Sequence, residues 1–482
     1  MSQTARTLDE IAELAGVRAP RSGRPIVCIQ GLGFVGAAMA VAVASRRNPE
    51  GQPLYDVIGV DLATAAGRHR IDSLNRGRFP FETKDERLLA ESEKARATGN
   101  LIACSDPAAF AYAAVVVIDI PLDVDWSVEP PVLRWEPFRR GIASLAEWMA
   151  PGALMILEST VPPGTTARVV APIVEQSLAA RGLATDAVRI AHSYERVMPG
   201  REYLDSIVNF WRVYAGHTPA AAAACERFLK SVIHTDRFPL TCVASTTASE
   251  LAKVLENAYR ATTIAFMEEW ARFAEAVGVD LFELVDAIRL RPTHSNIRTP
   301  GFGVGGYCLT KDPLFGELAA HDLFHLGLSF PFSTLAVRTN QHMPIVSVER
   351  LDALLGGLTG RTLLLLGISY RQDVGDTRYS PSEAFVREAR ARGARVIVHD
   401  PLVRHWDELD LDVPASLPSP QDVDAVVLAV PHREYRELDF GTWLGAARPL
   451  VLDGFGVLTR EQRQRLRGLG CRVESIGRGD AA

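Results

Sequence analysis

Within GFGVGGYCLTKDP, Gly301 to Pro313, a thiol, an ammonium and a carboxylate fall inside one turn of chain: Cys308, Lys311 and Asp312. A lone cysteine at a glycine turn is ordinarily a small buried apolar residue. Two charged neighbours are costly in a buried turn and fit a reactive thiol better. Upstream, Lys253, Asn257 and Arg260 fall at i, i+4 and i+7, with Leu251, Val254, Leu255 and Ala258 as the opposite, core-like stripe. Such a polar line is either a site or a solvated helix face. Glu195 and Arg196 follow a strand-like run, as site residues or as a surface ion pair. Thr160, in STVPPGTT, sits at a strand end where open α/β sheets bind ligands, or else caps the helix after Pro163.

A second motif says what the thiol could be for. Gly31-Leu32-Gly33-Phe34-Val35-Gly36 directly follows the apolar run IVCIQ and opens AAMAVAVA. Gly31 allows a tight turn, Gly33 lets a pyrophosphate approach the backbone, and Gly36 lets helix and strand pack closely. The next strand-like run, YDVIGVD, ends in Asp61, whose carboxylate accepts from ribose hydroxyls and repels a 2′-phosphate. The expected cofactor is therefore NAD. A thiolate near NAD can add to an aldehyde as a thiohemiacetal, which loses a hydride to become a thioester that water releases as an acid. Lys253, Asn257, Asp312 and Glu195 are the types needed to hold the oxyanion and manage protons.

These residues need two sheets to position them. IVCIQ, YDVIGVD, AAVVVIDI, ALMILEST and AVRIAHS are apolar runs with helical material between most of them, the pattern of parallel strands covered on both faces. RTLLLLGISY, ARVIVHDP, DAVVLAV and RPLVLDGF repeat the pattern after residue 361. Between them ASELAKVLENAYRATTIAFMEEWARFAEAVG is one helical pattern with no breaker before Gly278. The expected fold is α/β, with two Rossmann-like doubly wound domains joined by a long central helix. The divisions are an extension at 1–23, an NAD-binding domain at 24–235, a central helical domain with the cysteine loop at 236–357 and a second Rossmann-like domain at 358–482. In the extension Leu8, Ile11, Ala12 and Ala15 fit one helical face, as a docking helix or a frayed tail.

Bulk properties narrow the function classes. The 482 residues exceed one ordinary core, and 47% hydrophobic with 23% charged content is that of a globular protein. A net charge of -6 argues against a nucleic-acid partner. The six cysteines show no CxxC spacing and no His/Cys cluster, so no metal is expected. No apolar run is long enough to span a bilayer and no secretory h-region opens the chain, so a cytoplasmic protein is expected.

GLGFVG, ESTVPPGTT, YERVMPGR, ELAKVLENAYR, GFGVGGYCLTKDP and GISYRQDVGDTRYSPS, in this order, resemble the UDP-glucose/GDP-mannose dehydrogenases, four-electron oxidases of nucleotide sugars. The resemblance implies that Cys308 is the nucleophile and that Lys253 and Asn257 stabilise the oxyanion. It implies that Asp312, with Thr160 and a water, handles the proton, and that Glu195 assists thioester hydrolysis. It makes Gly303, Gly305 and Gly306 a cradle for the nucleotide sugar, with Tyr307, Arg196 and Arg260 beside them. Arg378 is implied near the cofactor phosphates or the closed active site. It also implies a homodimer through the middle helix and a C-terminal domain that helps hold the nucleotide.

YERVMPGR and the GVGG loop are similar to the enzymes acting on UDP-N-acetylmannosamine or UDP-N-acetylglucosamine, so a UDP-N-acetylhexosamine is the expected substrate. LTKDP keeps the lysine of UDP-glucose and GDP-mannose enzymes, which leaves UDP-glucose as the alternative. There are departures from the family pattern. Ile120-Pro121-Leu122-Asp123 stands for Val-Pro-Thr-Pro near the nicotinamide, so Pro121 is kept and a threonine hydroxyl is lost. Tyr307 replaces His or Ser before the cysteine, and Asp453-Gly-Phe-Gly456 replaces Asp-Xaa-Arg-Asn. The basic residue expected to reach a neighbouring subunit falls near His294, with Arg291 and Arg298 close by. A two-electron 3-hydroxyacid-type dehydrogenase and a nucleotide-binding scaffold without activity are the remaining alternatives.

Overall fold

The computed structural model describes residues 6–20 and 23–479. The chain forms two compact units. One runs to Leu255 and includes Phe315–Leu328; the other holds Glu256–Leu314 and the chain from Ser329 onward.

The first unit opens with helix α1, Leu8–Leu14. Thr7 and Glu10 form a reciprocal capping box at its start, which satisfies two orphan donors. Ile11 and Ala12 are buried in the same cluster as Phe110, so of the two expectations for the extension the docking helix is the one observed. The sheet of this unit has β1 (Ile26–Gln30), β2 (Asp56–Val60), β3 (Leu101–Cys104), β4 (Ala113–Ile118), β5 (Leu154–Leu157), β6 (Arg189–His192), β7 (Val213–Gly216) and β8 (Thr241–Cys242). Their spatial order is β8-β7-β6-β5-β4-β1-β2-β3. The chain therefore reverses direction across the sheet between β1 and β4, the switch point at which open α/β sheets bind dinucleotides. Helix α2, Phe34–Ala44, follows β1 and is buried from Gly36 to Ala44, because its small residues let it lie close on the sheet.

The sheet departs from the parallel expectation in one place. β7 pairs antiparallel with β6, Ala191 opposite Gly216 and His192 opposite Ala215. An antiparallel neighbour needs no crossover helix, and it returns the chain to the carboxyl end of β6. VYAG and LIAC are short apolar stretches that no longer run carries, and the sequence does not declare them strands.

The second unit carries a five-stranded parallel sheet in the order β10-β9-β11-β12-β13, from β9 (Thr362–Leu366), β10 (Arg395–His399), β11 (Ala425–Leu428), β12 (Leu450–Asp453) and β13 (Val473–Ser475). Leu363 and Leu365 enter one core while Leu364 and Leu366 enter another, so the unbroken leucine run is buried on both faces. Helix α3, Thr246–Ala276, starts in the first unit and belongs to the second from Glu256. Helix α4, Pro331–Leu355, supplies Val348 and Leu351 to the core under β9.

Candidate active site

In the first unit the glycine turn has the geometry its residues require. Gly31 lies at φ +89, and a Cβ there would meet the Asp119 carbonyl oxygen at 2.7 Å. A Cβ on Gly36 would stand 1.8 Å from the Gly31 carbonyl oxygen. Gly33 is the N-cap of α2, so the backbone N–H groups of the first helical turn mark the place for an anion. Asp61, just past β2, accepts from the Leu32 N–H at 3.1 Å and from Arg70 Nε at 2.7 Å. That bond fixes the acid against the glycine turn, with Arg70 as a partner the sequence did not single out. The residues fit a dinucleotide on two counts: a cradle that side chains would fill, and an acid at the ribose end.

The carboxyl ends of β4, β5 and β6 bring three acids into one row. Asp119, Glu158 and Glu195 follow those strands in turn. Glu195, 7% exposed, takes the Lys253 ammonium on its backbone oxygen at 2.8 Å and on Oε1 at 3.3 Å. Lys253 also lies 5.6 Å from the centre of the Tyr194 ring. Arg212, at the start of β7, binds Glu158 and donates to the Tyr194 carbonyl at 2.7 Å. The antiparallel turn of β7 is what delivers this guanidinium to the row. Arg196 instead turns onto Tyr194, bonding its hydroxyl at 3.2 Å. Thr160 follows β5, partly exposed, and Pro121 follows β4, exposed. Glu250, one turn before Lys253 on α3, accepts from the Gly164 and Thr166 N–H groups at 2.6 and 2.7 Å, pinning the PPGTT segment.

Helix α3 is amphipathic in the inverse sense to its expected packing. Lys253 and Asn257 are buried, at 6% and 1% exposed. Leu251 and Leu255, read from spacing as core, are 49% and 64% exposed, and Arg260 is exposed too. A buried ammonium and amide on a helix whose leucines face out rule out the solvated-face reading for these two residues.

In the second unit, Asn257 Nδ2 donates to Asp312 at 2.8 Å. Asp312 is fully enclosed and also takes the Lys311 ammonium at 2.9 Å. Its own N–H bonds back to the Cys308 carbonyl at 2.9 Å, so the turn ties the thiol residue to the carboxylate. Lys311 Nζ lies 4.2 Å from the centre of the Tyr307 ring. Gly303 and Gly306 have φ of +121 and +85. A Cβ on Gly305 would meet the Tyr379 carbonyl at 2.6 Å, and one on Gly306 would meet the Tyr370 ring at 2.8 Å. The cysteine loop thus rests on the GISYRQDVGDTRYS segment, and Cys308 itself is half-buried. Arg378 clasps Asp376 through Nη2 at 2.7 Å and lies over Tyr307 at 5.5 Å. His432, just past β11, is wholly buried between Ser369 and Asp400. Asp453 accepts from the N–H groups of Val457 and Leu458, so it closes the turn after β12 by itself. His294 and Arg291 are exposed.

Three family models match the chain. The NAD binding domain of the UDP-glucose/GDP-mannose dehydrogenase family matches residues 26–233, its central domain 247–342 and its UDP binding domain 364–460. The chain is 29% identical over 466 residues to a UDP-N-acetyl-D-mannosamine dehydrogenase of Pyrococcus horikoshii, covering 94% of this chain and 99% of that one. It is 28% identical to an NDP-N-acetyl-D-galactosaminuronic acid dehydrogenase of Ralstonia solanacearum, over 86% of this chain and 92% of the relative. A solved UDP-D-ManNAc dehydrogenase structure from Pyrococcus horikoshii superposes with a TM-score of 0.77 at 27% identity, covering 95% of this chain and 100% of that chain. No helix among the described residues is long and apolar enough to cross a membrane.

Proposed function

Because the chain belongs to the UDP-glucose/GDP-mannose dehydrogenase family and is an NAD-dependent nucleotide-sugar dehydrogenase, we propose that it oxidises the C6 alcohol of a UDP-N-acetylhexosamine to the carboxylate. The observation that carries the mechanism is the buried polar run of α3, whose Asn257 reaches the same Asp312 that the turn ties to Cys308.

The glycine turn between Gly31 and Gly36, with Asp61, would hold NAD, which would accept one hydride as the alcohol becomes an aldehyde and a second at the thiol adduct. The Cys308 thiolate adds to the aldehyde carbon and forms a C–S bond, giving a thiohemiacetal. Lys253 and the Asn257 amide hold the oxyanion that develops. Loss of the second hydride leaves a thioester; water then breaks the C–S bond, releases the acid and restores the thiol. Asp312, with Thr160 and a water, takes the proton, and Glu195 assists the hydrolysis. Gly303, Gly305, Gly306, Tyr307, Arg196 and Arg260 are assigned to the sugar nucleotide and Arg378 to the closed site. Each carboxylate formed consumes two NAD and one water.

The 24–235, 236–357 and 358–482 divisions serve cofactor, catalysis and dimerisation, and nucleotide in turn. The names of the relatives support an N-acetylated hexosamine over glucose. Lys311, which favoured the glucose branch by sequence, is buried on Asp312 and Tyr307, and that gives it a structural reason to be present. A panel assay of NADH formation from UDP-N-acetylmannosamine, UDP-N-acetylglucosamine and UDP-glucose tests the reading. Turnover of UDP-glucose alone would overturn the substrate assignment.

A further inference from the structure

Two members of the acid row, Asp119 and Glu158, have no place in that mechanism. Asp119 stands directly after β4, and its Cβ lies 3.2 Å from where a Gly36 Cβ would be, so it touches the glycine turn itself. Its N–H bonds the Gln30 carbonyl at 2.8 Å, and this anchors it at the switch point between β1 and β4. Part of the residue reaches solvent, yet its Oδ2 is enclosed.

The charges around it do not balance if every acid is ionised. Glu158, 2% exposed, is neutralised by Arg212, and Glu195 by Lys253. His192 adds no cation, since burial, then Lys253 and Arg212, hold its pKa down to about 3. Gln30 at the end of β1 is neutral. Among the described residues, Asp119 is left facing Glu158, Glu195 and Arg212 with no cation of its own. Glu158 Oε2 and Asp119 Oδ2 are both enclosed, and no donor among the described residues reaches either. The two carboxyls stand side by side, each one residue past the paired Ile118 and Leu157 of β4 and β5, and the Glu158 N–H bonds the Ile118 carbonyl at 3.0 Å. Two carboxylate oxygens cannot bond without a proton, and one proton satisfies both and brings the row to zero net charge.

We propose that Asp119 and Glu158 hold one proton between them and that this pair is part of the dinucleotide site, so that NAD binding and loss of the proton oppose each other. The neutral pair lets a carboxyl touch the glycine turn without repelling the cofactor's pyrophosphate. Once the proton leaves, a second negative charge stands beside that anion. Asp119 is thus a cofactor-site residue that acts through its protonation state. The inference rests on NAD binding at this turn.

Calorimetric titration of NAD into the wild type and Asp119→Asn, across the neutral to alkaline range, tests it. The wild-type Kd rises roughly tenfold through the pair's titration, as a unit charge near the pyrophosphate would cause at an effective dielectric of about 20. Asp119→Asn stays flat, and Asp119→Ser repeats the result should asparagine fit badly. Parallel pH profiles in all three proteins overturn the proposal. An infrared carboxylic-acid band at neutral pH, present in the wild type and missing from Asp119→Asn, is the second arm. Its absence from the wild type also overturns the proposal. Failure of NAD to bind at any pH would instead strike the cofactor assignment, and the infrared arm would still decide the pair.

Discussion

Cys308 and Asp119 mark the two ends of what single residues reveal. The types and spacing around Cys308 make chemistry the expectation there, because a thiol, an ammonium and a carboxylate crowded into one turn have few structural uses. Asp119, Glu158 and Arg212 gave no such signal. They sit on separate strands, and only the sheet order and the antiparallel return of β7 bring them together. At this scale two substitutions are informative. Cys308→Ser keeps NAD affinity within about twofold and loses acid formation by roughly three orders of magnitude, as loss of a nucleophile does; product analysis alongside calorimetry checks both. Asp119→Asn changes stability with pH. Burial, then the Glu158 charge, raise the Asp119 pKa well above the carboxylate range. The fold therefore retains a proton that the unfolded chain gives up near pH 4, and wild-type stability falls as pH rises above that value. Asp119→Asn escapes this loss. Its Tm should match the wild type near pH 3.5 and exceed it by roughly 2–4 °C at pH 8. A Tm gap of equal size at both pH values would contradict the linkage.

At the scale of elements, the glycine turn and helix α3 show how far periodicity carries. The strand-turn-helix context of GLGFVG was legible because each glycine has a separate steric duty. Gly36→Ala tests that: its methyl would meet the Gly31 carbonyl, and no side-chain movement relieves a backbone clash. NAD affinity should fall more than tenfold in calorimetry with little change in circular dichroism; an unchanged Kd would contradict the cradle. Helix α3 was correctly bounded, since its only strong breaker is Gly278, but its faces were half misread. Spacing identifies two stripes and cannot say which one is covered. Burial of Lys253 and Asn257 reflects the partners Glu195 and Asp312 waiting on them, which lie far off in sequence.

For the molecule as a whole, the exposed stripe of α3 is the feature that needs explanation. Leu255, Tyr259, Phe266, Trp270 and Phe273 recur every three to seven residues and are each about half exposed or more. A solvated stripe of this size on a single helix is unusual outside an interface. We assign it to a second copy of the chain, as the middle-helix homodimer expected from the family resemblance. Trp270→Glu should convert the dimer to monomer in light scattering at micromolar concentration; an unchanged mass would contradict the assignment. The two-sheet plan was readable because continuous apolar runs such as LLLL are buried on both faces. LIAC and VYAG were not, since no longer apolar run carries either stretch.

Stoichiometry tests the central claim most directly. NADH formed and acid produced are measured together from a limiting amount of UDP-N-acetylhexosamine. The account predicts two NADH for each uronic acid, with one water consumed. One NADH for each substrate, ending at the aldehyde or another two-electron product, would contradict it.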